Sequence, residues 1–125
     1  MRLGNLKIIF IFFYFFCFSV FAQPIEGKKI QIQILDKITA KVDNFIIEVN
    51  NELLFGSLII EIFTCFKNPP EEIPENFVLL RISDKINKNK NNKKLVYQGW
   101  MISSSPASTP LEHPIYDLWL KDCII

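Results

Sequence analysis

Lys29-Ile30-Gln31-Ile32-Gln33-Ile34 alternates polar and apolar residues without a fault, and Ser57 to Phe66 reads SLIIEIFTCF. The first has the period of two that a strand with one wet face requires. The second carries apolar residues on both faces and is rich in Ile, Phe and Thr. It reads as a central strand covered on both sides rather than as a helix. Working outward, Ile38, Ala40 and Val42 alternate with Thr39 and Lys41, Asp43-Asn44 reads as a turn, and Phe45 to Val49 runs back as the second arm of a hairpin. Asn50-Asn51 and Phe55-Gly56 are further turn signals. Pro69, Pro70 and Pro74 interrupt any ladder between Lys67 and Glu75, so this stretch is expected to be an acidic surface loop.

Phe77 to Ile82 and Leu95 to Ile102 read as strands. Ser83 to Lys94 (SDKINKNKNNKK) between them reads as a mobile hairpin loop, with a bulge expected at Gly99 beside Trp100. Ser103 to Pro114 is a long irregular loop, and Ile115 to Lys121 is the last strand. No amphipathic helix of three turns interrupts the series. The expectation is all-β: a compact sandwich or partly open barrel of seven to eight short antiparallel strands.

That domain follows a different kind of segment. Residues 1–22 hold 7 of the 12 Phe, and Arg2 and Lys7 precede the apolar run Ile8 to Phe21. Val20-Phe21-Ala22 places small residues before Gln23-Pro24, which is the order of a secretory signal peptide cleaved near Ala22. An uncleaved anchor is the rival, and about 15 residues cover only about 22 Å of a 30 Å hydrocarbon core. A lipid anchor at Cys17 is disfavoured by its bulky neighbours Phe15, Phe16 and Phe18. The expected mature domain is residues 23–125, periplasmic or secreted, touching the membrane only through the signal segment before cleavage. Its formal charge falls from +1 to −1, because Arg2 and Lys7 leave with the signal.

Removing Cys17 leaves Cys65 and Cys123, an even pair that favours a disulfide in an exported chain. Two free thiols, or a metal pair with His113 as a third ligand, are the alternatives. No metal and no cofactor are expected, because calcium at Glu71, Glu72 and Glu75 would lack the alternating spacing of a formed site. The same three carboxylates read as a solvated cluster rather than as glycosidase acid and base. The Asn/Lys run has no interleaved aromatics, so no nucleic-acid partner is expected.

Ser103-Ser104-Ser105, Glu112-His113 and Asp117 hold every member of a Ser-His-acid triad, but no nucleophile elbow accompanies them. The plainer reading makes His113 a hydrogen-bonding pin, with Glu112 or Asp117 capping loop amides. Trp100 and Trp119 read first as core, and otherwise as an aromatic binding surface beside the loop. The candidate surface comprises Trp100, Met101, Ser104, Ser105, Glu112, His113, Tyr116 and Asp117, together with the Pro-Pro-Glu-Glu loop. A non-enzymatic binding or accessory module for an envelope protein or ligand is the expected function. A small envelope hydrolase centred on His113 and a structural scaffold of an envelope complex are the alternatives.

Four strings resemble a known family: LDK-x-T at Leu35 to Thr39, FG-x-L at Phe55 to Leu58, C-x-x-x-PPEE-x-PE at Cys65 to Glu75, and GWM-x-x-SSP-A-x-x-x-LEHP-x-YD-x-W-x-x-x-C at Gly99 to Cys123. Their order and spacing resemble small exported bacterial envelope proteins grouped as the domain of unknown function (DUF) 2155, over residues 35–123. The resemblance implies a single exported domain. It implies no activity and supplies no catalytic residues.

Overall fold

The computed structural model describes residues 3–16, 19 and 21–125. Helix α1 (Leu3–Phe15) is apolar on every side, and its described side chains are exposed. No helix among the described residues is long and apolar enough to cross a membrane. The expectations placed on Arg2, Cys17 and Val20 lie outside the described residues.

Among the described residues eight strands follow: β1 (Ile25–Glu26), β2 (Lys29–Asp36), β3 (Lys41–Glu48), β4 (Glu52–Phe55), β5 (Leu58–Lys67), β6 (Asn76–Ile86), β7 (Asn89–Ile102) and β8 (Tyr116–Ile124). They form two antiparallel sheets. The larger runs β1-β5-β6-β7, with β4 sharing the edge of β5 that β1 occupies. The smaller is β3-β2-β8. The result is a two-sheet sandwich, and the barrel alternative is not realised.

Ile30, Ile32 and Ile34 of β2 face Leu58, Ile60 and Ile62 of β5, Val78, Leu80 and Ile82 of β6, and Leu118 and Leu120 of β8 in one core. All core members among the described residues lie between Ile30 and Cys123, so none comes from α1. Branched aliphatic side chains fill the roughly 10 Å between the sheets. That leaves no interior place for either tryptophan: Trp100 is 44% exposed and Trp119 half-buried, so the expectation that both are core is overturned.

Four local readings also change. Asp43 and Asn44 lie inside β3, opposite Ile34 and Gln33. The hairpin turn is instead Lys37–Ala40. There the Asp36 carboxylate accepts hydrogen bonds from the Ile38 and Thr39 amides at 2.9 and 3.2 Å, and Ala40 takes φ +58. A short Asp side chain that folds back on its own backbone outcompeted the Asp-Asn pair. Ser83 to Lys94 is not a loop. Its two halves pair, with Asp84 opposite Lys94 and Lys85 opposite Lys93, around a two-residue turn in which Asn87 and Lys88 both have positive φ. The bulge lies at Val96 rather than Gly99: Ile82 pairs with Tyr97 and Ser83 with Leu95, leaving Val96 unpaired. Finally, β5 is buried on both faces only at its Leu58–Ile60 end, and Phe63 is 39% exposed.

Cys65 on β5 and Cys123 on β8 are joined, with Cα atoms 6.0 Å apart, so the disulfide ties the two sheets together. Gly27 lies against it where the chain passes from β1 to β2, donating its amide to the Cys65 carbonyl at 3.0 Å. A Cβ at this position would overlap both sulfurs. Lys67 pairs with Asp122 at 2.8 Å beside the bridge.

Candidate functional site

The four strings converge in the fold. In one corner, Nδ1 of His113 accepts the amides of Ile115 and Tyr116 at 3.0 and 3.2 Å. That places the ring proton on Nε2, which donates to Asp84 Oδ2 at 2.9 Å. The side chain is 3% exposed. Its ring stacks on Tyr116 at 5.3 Å, and Tyr116 meets the Phe55 ring edge-on at 5.5 Å. The Tyr116 hydroxyl fills the space that a side chain on Gly56 would need. Lys37 completes the corner, donating to the His113 carbonyl at 2.8 Å and pairing with Asp117 at 3.2 Å.

This geometry does not assemble the serine triad. Asp117 engages Lys37, not His113, and Glu112 is exposed. Both ring nitrogens of His113 are committed, one to backbone amides and one to Asp84, so no lone pair faces a serine. Burial works to raise the Asp84 pKa, but the Ser57 hydroxyl, the His113 ring and the Lys94 charge outweigh it and hold it below the ordinary value. Its second oxygen, Oδ1, is buried without a hydrogen-bond partner among the described residues. Sequence reasoning missed Asp84, which sits inside the Asn/Lys run 29 residues before His113.

The second convergence joins the loop before β6 to the loop after β7. Glu75 accepts the Ser103 hydroxyl at 2.9 Å, the Ser104 and Asn76 amides at 3.0 Å each, and the Ser104 hydroxyl. Burial pushes the Glu75 pKa upward, but these bonds, those of Ser104 foremost, carry it below the usual carboxylate value. Glu71 and Glu72 are exposed, so the three glutamates do not act as one cluster. The expected caps, Glu112 or Asp117, are replaced by a carboxylate from the other loop. Asn76 extends the network, donating to Ser103 Oγ at 3.1 Å and accepting the Cys123 amide at 3.1 Å.

With the two loops fixed, a cleft of about 530 Å³ opens beside them, lined by Pro74, Ser103, Ser104, Pro106, Trp119 and Gln33 among others. Of the expected surface residues, Ser104 reaches this cleft. Ser105 is exposed next to the single helical turn Pro106–Ser108. Met101 is 3% exposed and His113 6%, so both belong to the interior. Trp100 lies on the outer face of the larger sheet, its ring tilted against that of Phe66 with centroids 6.0 Å apart. Tyr116 is half-buried in the His113 corner. The aromatic residue at the cleft is Trp119, whose place on β8 opposite Gln33 gave the sequence no contrast with Trp100. Among the described residues, no three His, Cys, Asp or Glu side chains gather as metal ligands.

Fold and site define a small two-sheet β domain, stapled between its sheets, that presents a loop-walled cleft. The chain belongs to the DUF2155 family, described as an uncharacterized protein conserved in bacteria, which it matches over residues 30–123. It is 36% identical over 89 residues to Uncharacterized protein RP359 of Rickettsia prowazekii (strain Madrid E). That match takes in 71% of this chain and 56% of the relative, so the chain spans little more than half of it. No solved structure matches.

Proposed function

We propose that the protein is an exported, non-enzymatic binding module of the cell envelope, working in the periplasm or outside the cell, with its ligand seated in the Trp119 cleft. The observation that carries this is the Glu75 network, which fixes Pro74 and Ser103–Ser104 as rigid walls around a half-buried tryptophan. Rigid walls lower the entropic cost of binding, and an amphipathic ring with hydroxyls and an amide around it is how small clefts hold a ligand in one orientation. Export is supported by the apolar run that follows Lys7 within α1 and by the Cys65–Cys123 pair, a bond at home in an oxidising compartment. The hydrolase alternative draws no support from His113, whose ring nitrogens are both occupied.

Two measurements test the reading. N-terminal sequencing of the protein recovered from the periplasm or medium should begin at Gln23. Retention of the apolar segment overturns the cleavage. Capture from solubilised envelope with immobilised 23–125 should retain a species that is lost with Trp119→Ala and kept with Trp100→Ala. Equal retention by the two variants overturns the cleft assignment, and a scaffold held by other surfaces would then account for capture.

A further inference from the structure

The outer face of the larger sheet has an unusual gradient. Leu79, Arg81 and Lys85 alternate with the buried Val78, Leu80 and Ile82, so they share that face, and Ser83 in the same row is itself buried at 2% exposure. Their partners across on β7 are Trp100, Gln98, Leu95 and Lys93. At one end Trp100 packs at a tilt against Phe66, and Phe63 lies under Arg81, whose guanidinium is 5.2 Å from the ring centre. At the other end, about 20 Å away along six residues of strand, stand Lys85 and Lys93. Trp100, Phe63 and Leu95 are 44%, 39% and 54% exposed, and Ile86 at the tip is 40% exposed.

The tip is strongly basic. Residues 84–94 hold five of the chain's 14 Lys and Arg residues and one acid, Asp84, although the domain from residue 23 onward has a formal charge of −1. Lys85 and Lys93 sit directly opposite each other, an arrangement that disfavours the hairpin. Glu61 compensates in part, 4.0 Å from Lys93. The turn between them puts Lys88 at φ +59, where a side chain is strained. Lys85 and Lys88 also flank a depression of about 400 Å³ with Gly56 and Ser57. Like charges held opposite each other, on a hairpin that bends a lysine into a strained conformation, are poor choices for stability. They are good choices for presenting cations to an anionic surface.

We propose that this face docks on an anionic phospholipid surface. Lys85, Lys88 and Lys93 meet headgroup phosphates, and Trp100 and Leu95 enter the interfacial layer. Charge complementarity and the exposed apolar side chains together select a lipid surface over a soluble polyanion, since a polyanion has no use for Trp100 or Leu95. The site is independent of the Trp119 cleft and of signal cleavage.

The test uses the 23–125 domain, whose core needs no residue of α1. It should co-sediment with vesicles of phosphatidylcholine containing phosphatidylglycerol and not with phosphatidylcholine alone. Binding should weaken steeply with salt. Lys85→Gln, Lys88→Gln and Lys93→Gln combined should weaken it about 100-fold, at about fivefold per lysine near an anionic surface. Trp100→Ala should weaken it with the lysines intact. Near-UV circular dichroism establishes that the triple variant is folded, and if it is not, the salt series on the unaltered domain decides. Three outcomes overturn the proposal: no binding to the anionic vesicles at low salt, binding unchanged in the folded triple variant, or equally tight binding to soluble polyglutamate with no loss in Trp100→Ala.

Discussion

His113 bonds through both ring nitrogens and its own carbonyl oxygen, and each partner comes from a different part of the chain. Removing the ring leaves two backbone amides and the Asp84 carboxylate short of a partner in a partly buried corner. Unmade bonds of this kind each cost about 1–3 kcal/mol. His113→Ala should therefore lower stability by about 3 kcal/mol in urea unfolding, and a loss below about 0.5 kcal/mol would show that the corner does not act as a pin. Glu75 makes a prediction about acid. Its folded pKa lies below its unfolded value, so its stabilisation is present above the unfolded carboxylate range and is lost as pH falls through the folded value. Glu75→Gln should lower stability at pH 7 and flatten the fall below about pH 4, as read from denaturation midpoints across pH. An acid limb as steep as that of the unaltered protein contradicts this. At this scale the sequence indicated that His113 pins a loop but not its partner. Asp84 is far away in the chain and hidden among lysines and asparagines, and only the packing of β6 against the β8 end of the chain brings it near.

Elements were legible wherever hydrophobic alternation was strong. β2 and β5 lie where the pattern put them, because a one-residue slip would turn Ile30, Ile32 and Ile34 out to water. Failures came where polar residues pair with each other. The far half of the β6–β7 hairpin has little apolar periodicity to read, since beyond Asp84 the ladder leaves the core and continues as pairing between polar residues. Its turn has the right backbone with a suboptimal residue: Asn87 tolerates φ +56, but Lys88 at φ +59 does not have glycine's freedom. Lys88→Gly should stabilise the domain by about 0.5–1 kcal/mol by relieving that strain. A lowered melting temperature would mean that the turn differs from the one described. The bulge at Val96 is the same kind of miss. Gly99 looked the better site, yet it pairs in register with Leu80 at φ +150, and the extra residue falls three positions earlier.

For the molecule as a whole, cysteine arithmetic carried further than composition. The core between the sheets is modest and aliphatic, with its aromatic rings at the rim: Phe45, Phe55, Tyr97 and Tyr116 pack against it only partly buried. A domain of this size gains much from a cross-link, and closing 58 residues of separation contributes about 4 kcal/mol in the chain-entropy picture. Reduction should lower the unfolding free energy by about that amount. Gly27 separates the bridge's effect on the unfolded chain from its packing in the native state. A Cβ there meets both sulfurs and the Ile124 carbonyl, so Gly27→Ala should be severely destabilising when the bridge is intact. Once both sulfurs are removed as Cys65→Ala with Cys123→Ala, part of that clash disappears, and the same change should cost less. The three perturbations touch one another, so their costs should fail to add by about 1–3 kcal/mol in a double-mutant cycle. Strict additivity would mean that this segment is held only by the backbone bonds of Gly27 to Cys65 and of Lys28 to Ile124. The junction of the two sheets would then rest on main-chain pairing rather than on the packing around the disulfide.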